Sequence, residues 1–202
     1  MGGTRKKPKG LHSMNKTFLA SVGAAALALT GCATTMDGGM DDVAYIDGAA
    51  MYSNQNIVAN ASNSPIHTTL VAAVKQAQLV DTLSGPGPFT VFAPTDQAFS
   101  RVPEAMRNSL MMDSNRPALQ QVLTYHVVSG RITAADLMER IRAGNGTAMV
   151  TTVQGEDLTF RMQGGNVMIM GKNGSSATVT QADVMQSNGV IHVVNGVLTP
   201  SM

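Results

Sequence analysis

The chain has no tryptophan and one cysteine. An internal disulfide is therefore impossible, and a structural zinc site built on several cysteines is excluded. Beyond residue 31 there are only three histidines, His67, His126 and His192, far apart in the chain. Neither His-x-x-x-His nor Cys-x-x-Cys occurs, so a protein-built metal centre has no sequence support. The Gly-x-Ser-x-Gly elbow of a serine hydrolase is also missing. Gly171-Lys172-Asn173 has the look of a phosphate-loop end, but Asn173 stands where Ser or Thr must bind magnesium. Asp41-Asp42 and Glu156-Asp157 pair carboxylates outside any calcium-loop spacing. The chain therefore reads as non-catalytic, with no cofactor and no metal.

What is present is an apolar chain, with 44% hydrophobic and 13% charged residues in a length of 202. That is too apolar for a disordered chain and fits one domain with extensions. The net charge of +1 averages two unlike pieces: residues 1–31 hold five basic residues and no acid. The other nine basic residues face all thirteen acids, leaving 32–202 at −4. A mildly acidic domain is a poor partner for nucleic acid, where affinity rests on basic groups neutralising phosphates.

The basic piece is an address. Lys16 precedes a short uncharged run, Phe18 to Leu29, too short to anchor across a bilayer, and 1–31 reads as a signal peptide. Met14-Asn15-Lys16 has the form of the true start, which makes 1–13 a start-site artefact. Leu29-Thr30-Gly31-Cys32 resembles the bacterial lipobox. The resemblance implies cleavage before Cys32 and lipidation of its thiol and new amino group. Each buried methylene adds about 0.8 kcal/mol, so several acyl chains hold the protein on the membrane. By resemblance to the lipoprotein sorting rule, Ala33 directs it to the outer membrane. Residues 32–53, rich in Asp and Gly, are expected to be the lipidated cysteine and a flexible tether spanning roughly 25–30 Å.

The domain is expected over 54–202. Ser64-Pro65 opens a helix carrying Ile66, Leu70, Val71, Val74 and Ala77 at helical spacing. Short helices are expected near Gln97, over 103–112 and over 117–123. Thr133 and Asp136 form a capping box for a helix ended by Gly144. Strands are expected over 89–92, 125–128, 148–153, 158–162, 167–170, 177–180 and 190–194, with a hairpin at Gly164-Gly165. Helices dominate the first half and strands the second, which defines an α+β fold.

Three segments then carry a resemblance. Phe89-Thr90-Val91-Phe92-Ala93-Pro94-Thr95-Asp96-Gln97-Ala98-Phe99 resembles the first signature of the fasciclin domain. Gly189-Val190-Ile191-His192-Val193-Val194-Asn195-Gly196-Val197-Leu198-Thr199-Pro200 resembles the second, with Asn195 in place of a common acid. Leu123 to Val128 is similar to the family's Tyr-His segment. The resemblance implies a β-rich wedge with several short helices packed around it, and structural roles for Phe92, Pro94, Thr95, Asp96, Phe99, Gly189, Ile191 and His192. Asp183-Val184-Met185 resembles the adhesion segment of animal members, with Val in place of Ile.

Tyr125 and His126 are expected on one strand with opposite facings, one of them outward. Asp183 is either a bend cap or an exposed carboxylate open to a partner. The resemblance makes Tyr125, His126, Asp183 and Val184 the candidate partner-binding residues, and implies an envelope-anchored adhesion domain for cells, surfaces or matrix, meeting a protein or polysaccharide. The alternatives are a periplasm-facing structural protein bound to another envelope component, and a small-molecule or metal carrier, for which Met36, Met40 and Met51 are the soft ligands.

Overall fold

The computed structural model describes residues 43–201. Cys32 and the signal segment lie outside them. The described chain opens on a hairpin, β1 (Val43–Ile46) and β2 (Ala49–Tyr52), followed by α1 (Ile57–Asn63), α2 (Thr68–Gln76) and α3 (Val80–Ser84). Then come β3 (Phe89–Pro94), α4 (Asp96–Ser100), α5 (Glu104–Leu110), a 3-10 turn at Asp113–Asn115, α6 (Arg116–Tyr125), β4 (Val127–Ser129) and α7 (Ala134–Ala143). Five strands close the chain: β5 (Thr147–Thr151), β6 (Asp157–Gln163), β7 (Asn166–Met170), β8 (Ser176–Gln186) and β9 (Gly189–Val194). The architecture is the expected α+β arrangement.

Seven strands form one mixed sheet in the order β4-β3-β9-β8-β7-β6-β5. Only β3 and β9 pair in parallel, register Phe92↔His192. The Val153 N–H donates to the Val127 carbonyl at 2.8 Å, which draws the two edges of the sheet toward each other. The two-residue turn Gly164-Gly165 joins β6 to β7, both glycines at positive φ (57° and 85°), the geometry that a tight hairpin needs.

The two signature segments are thus neighbours. Simple alternation would give each run one core face, but β3 and β9 are buried on both. Val91, Ala93, Ile191 and Val193 join an apolar cluster with α1, α2 and α6. Phe92 and Val194 join a second cluster with α7 and β5 to β8. A strand pair covered on both faces is what a parallel pair requires. A Cβ on Gly189 would collide with the Phe89 carbonyl across this pair, so the signature glycine is a spacing requirement.

The structure corrects three local expectations. Residues 43–52 are not tether. Val43-Ala44-Tyr45-Ile46 and Ala49-Ala50-Met51-Tyr52 pair across an Asp47-Gly48 turn with φ of 48° and 84°, and Ile46 and Met51 are buried. The Asp-Gly turn between period-two segments was the available signal. The helix expected from Ser64-Pro65 starts later: Ser64 is extended (φ −84°, ψ 124°) and ends the preceding α1, and α2 begins only at Thr68. A residue before proline is pushed out of the helical region. Finally, Tyr125 belongs to α6, with His126 as its cap, and the following strand is shorter than expected.

Truncating Phe92 to Ala should cost about 3–5 kcal/mol in chemical denaturation. Gly189→Ala should cost about 1–3 kcal/mol by forcing the central pair apart.

Candidate functional site

Each histidine of the domain is buried, and two of the three are tied to the backbone. His126 Nδ1 lies 2.8 Å from the Val122 carbonyl, and the Leu198 N–H donates to Nε2 at 2.9 Å. The proton therefore sits on Nδ1. His192 has the opposite tautomer: Nε2 lies 2.8 Å from the Ile132 carbonyl, and the Asp183 N–H donates to Nδ1 at 3.2 Å. Its ring stacks on Phe92 with centroids 5.5 Å apart, and Phe92 in turn packs against Phe160 at 5.3 Å. His67 Nδ1 meets the Ser64 hydroxyl at 2.7 Å, while Nε2 is buried with no partner among the described residues.

Burial disfavours the charged ring in all three. It holds His126 down at about 4, against the carbonyl of Val122 that works to raise it. Burial also lowers His192, opposed by the Ile132 carbonyl and Asp183, and lowers His67, opposed by Asp96 and the Ala93 carbonyl.

The remaining signature residues are fixed by local needs. Thr95 accepts the Ala98 N–H at 3.2 Å and caps α4. Asp96 reaches back to α2: it accepts the Thr69 N–H at 2.7 Å and the Thr68 N–H at 3.2 Å, besides the Thr68 hydroxyl. Burial raises its carboxyl, yet these donors outweigh that and hold it below the usual carboxylate range. Pro94 ends β3, and Phe99 packs at the edge of the first cluster.

The four candidate partner-binding residues do not form an exposed face. Tyr125 is fully buried, His126 is 3% exposed and Val184 1%. The Tyr125 hydroxyl donates to the Asp157 carbonyl at 3.2 Å and accepts the Lys172 N–H at 2.9 Å. Burial raises its phenol, as do Glu156 and Asp157, while the Lys172 N–H pulls the other way. The facing assigned from a strand failed because Tyr125 ends a helix and is itself packed into the second cluster. Asp183 alone is exposed. It sits at φ 58°, in the stretch where the β8–β9 register slips, and its Oδ1 accepts the Ala134 N–H at 2.8 Å. Asp183 thus accepts an N–H at the start of α7 while its own N–H fixes His192, and its side chain stays exposed.

A different surface has open hydrogen-bonding capacity. A polar cleft of about 370 Å³ lies between the end of α4 and the strands β6 to β8. Arg101, Gln163, Ser176, Thr178 and Asn195 line it, and no lining residue is a carboxylate. Asn195 Oδ1 accepts the Thr178 N–H at 2.8 Å, which leaves its amide NH₂ for the cleft. Arg101 Nη1 donates to the Asn195 carbonyl at 3.0 Å, holding the guanidinium at the rim with other donors spare. Sequence inspection found Asn195 only as a departure from a pattern. Arg101 gave no signal, because 94 residues separate it from Asn195. Among the described residues no group of three metal-ligating side chains exists.

The fold is an α+β one, a mixed sheet built on two paired signature strands, with His126 and His192 bonded to the backbone. The chain belongs to the fasciclin domain family, whose model matches residues 65–200. It is 45% identical to Protein sll1483 of Synechocystis sp., over 79% of this chain and 81% of that one. It is 32% identical to the Immunogenic protein MPB70 of Mycobacterium bovis, over 94% and 97%. It is 31% identical to the Cell surface glycolipoprotein MPB83 of the same species, over 76% and 70%. A solved structure of a FAS1 domain pair from the insect cell adhesion molecule Fasciclin I has the same fold, with a TM-score of 0.63 at 21% identity, over 71% of this chain. The chain spans half the length of that pair.

Two outcomes follow from the geometry. The buried histidines stay neutral in the folded state but take up protons near pH 6.5 when unfolded, so stability should fall as pH drops from about 6.5 towards 4. His126 alone contributes about 3 kcal/mol to that loss. Urea midpoints measured across this range check it, and a flat profile would contradict the burial. Asp183→Ala removes a helix cap and should cost about 1 kcal/mol in the same assay.

Proposed function

We propose that the protein is a non-catalytic binding domain, lipid-anchored through Cys32 to a bacterial envelope, which holds a cell-surface or matrix partner in the cleft beside Arg101. The observation that carries this reading is the cleft itself: one guanidinium among hydroxyl and amide groups, without an opposing carboxylate. Such a lining accepts acidic and hydroxylated groups, the chemistry of polysaccharides and of acidic protein surfaces. The names of two similar proteins support a place at the cell surface: a cell surface glycolipoprotein and a cell adhesion molecule. The lipobox-like Leu29-Thr30-Gly31-Cys32 and Ala33 supply the anchor and the outer-membrane address.

Protease shaving of intact cells tests exposure. Loss of the 54–202 domain while a periplasmic control survives is expected. Protection would favour a periplasm-facing structural role instead. On unshaved cells, Arg101→Gln should weaken attachment to the partner surface about tenfold or more, since a charge-assisted hydrogen bond contributes about 1.5–3 kcal/mol, with shaved cells as the baseline. Its melting temperature should stay near that of the parent, because Arg101 is exposed.

A further inference from the structure

The chain has only eight aromatic residues, and seven of them fall among the described residues. Phe92, Phe160 and Tyr125 are fully buried, and Phe89 and Phe99 pack half-buried against the core. Two stand out in solvent, Tyr45 at 69% and Tyr52 at 39% exposure. Both belong to the β1–β2 hairpin and share a face. The register Val43↔Tyr52 and Tyr45↔Ala50 puts these four residues on one side, and Ile46 and Met51 on the side that meets the core.

This hairpin is fastened to the domain. Asn60 accepts the Tyr52 N–H at 3.0 Å and donates to the Tyr52 carbonyl at 2.7 Å, and its amide also meets Gln186. Gln181 donates to the Tyr45 carbonyl at 3.2 Å. The outer face therefore moves with the whole domain.

The position along the chain indicates what covers this face. Ten residues, 33–42, separate Cys32 from Val43. A chain of that length reaches at most about 36 Å. No basic residue occurs between Cys32 and Lys75, whereas Asp41, Asp42 and Asp47 do. Within this stretch attraction to an anionic surface has no basic residue to act through, which leaves the tyrosine rings as its membrane-seeking groups. Tyrosine, with an apolar ring and a polar tip, is enriched at the membrane–water interface.

We propose that the outer face of the β1–β2 hairpin is a membrane-contact face, with Tyr45 and Tyr52 seated in the headgroup region of the bilayer that holds the acyl chains of Cys32. This rests on the reading of Cys32 as a lipid anchor. The short connection keeps the hairpin at an effective concentration in the millimolar range near the surface, so a weak interfacial contact suffices. The domain is then held in one orientation on the membrane.

The absence of tryptophan makes the test clean. Tyr45→Trp, Tyr52→Trp and, as a control on exposed β5, Met149→Trp each supply one reporter. The full lipoprotein is purified, its Cys32 lipidation is read by mass spectrometry, and it is reconstituted in phosphatidylethanolamine–phosphatidylcholine vesicles. The expected result is a blue-shifted emission at positions 45 and 52, loss of iodide quenching, and quenching by brominated acyl chains, with the reporter at 149 unchanged. Vesicle-bound lipoprotein whose reporters at 45 and 52 stay open to iodide would overturn the proposal and leave the anchor intact. Shielding of both reporters in a Cys32→Ala chain without vesicles would overturn it too, because the cover would then be the protein's own residues. An unmodified Cys32 would remove the anchor, and the proposal with it.

Discussion

The rest of the structure hangs on the parallel pairing of β3 with β9. It joins segments about 100 residues apart and is buried on both faces. Neither strand has a face turned to water, so every side chain on them must be apolar or fully hydrogen-bonded. That constraint explains an imidazole in the middle of β9. His192 is tolerated because a carbonyl and an N–H from flanking segments meet its two nitrogens and Phe92 covers its ring. The same two segments carry the family's signatures, which are therefore signatures of packing rather than of chemistry.

The polar residues that look functional in the sequence are largely spent on joining elements. His126 ties the end of α6 to the C-terminal segment, and Tyr125 ties α6 to β6 and the turn after β7. Asp96 links α4 to α2, and Asp183 links β8 to α7. Asn188 does the same at the other end of the sheet: it accepts the Ile57 N–H and donates to the Leu83 and Gly85 carbonyls. Side-chain donors remain spare in the cleft beside Arg101, and the tyrosine face of the hairpin stands exposed.

Most of the elements were readable in the sequence. The capping box at Thr133 and Asp136 is present as expected, and so is the glycine turn between β6 and β7. Fasciclin membership followed from three ordered segments. The misreadings have physical causes. Composition suggested a tether where an Asp-Gly hairpin folds, because its burial depends on α1 and β8, which sequence distance hides. That one of Tyr125 and His126 faces outward was inferred from strand alternation, which stops applying once the helix runs on to Tyr125.

Local chemistry alone therefore determined caps and turns, since each depends on residues within a few positions of one another, while the order of elements and of three signature segments along the chain carried the α+β class and the family. Tertiary structure decided which polar groups are spent and which remain open. Burial and hydrogen-bond satisfaction are properties of neighbours brought together by folding: Ile132 and Asp183 around His192, Leu198 on His126, Arg101 beside Asn195. No pattern within either partner's own segment encodes those meetings.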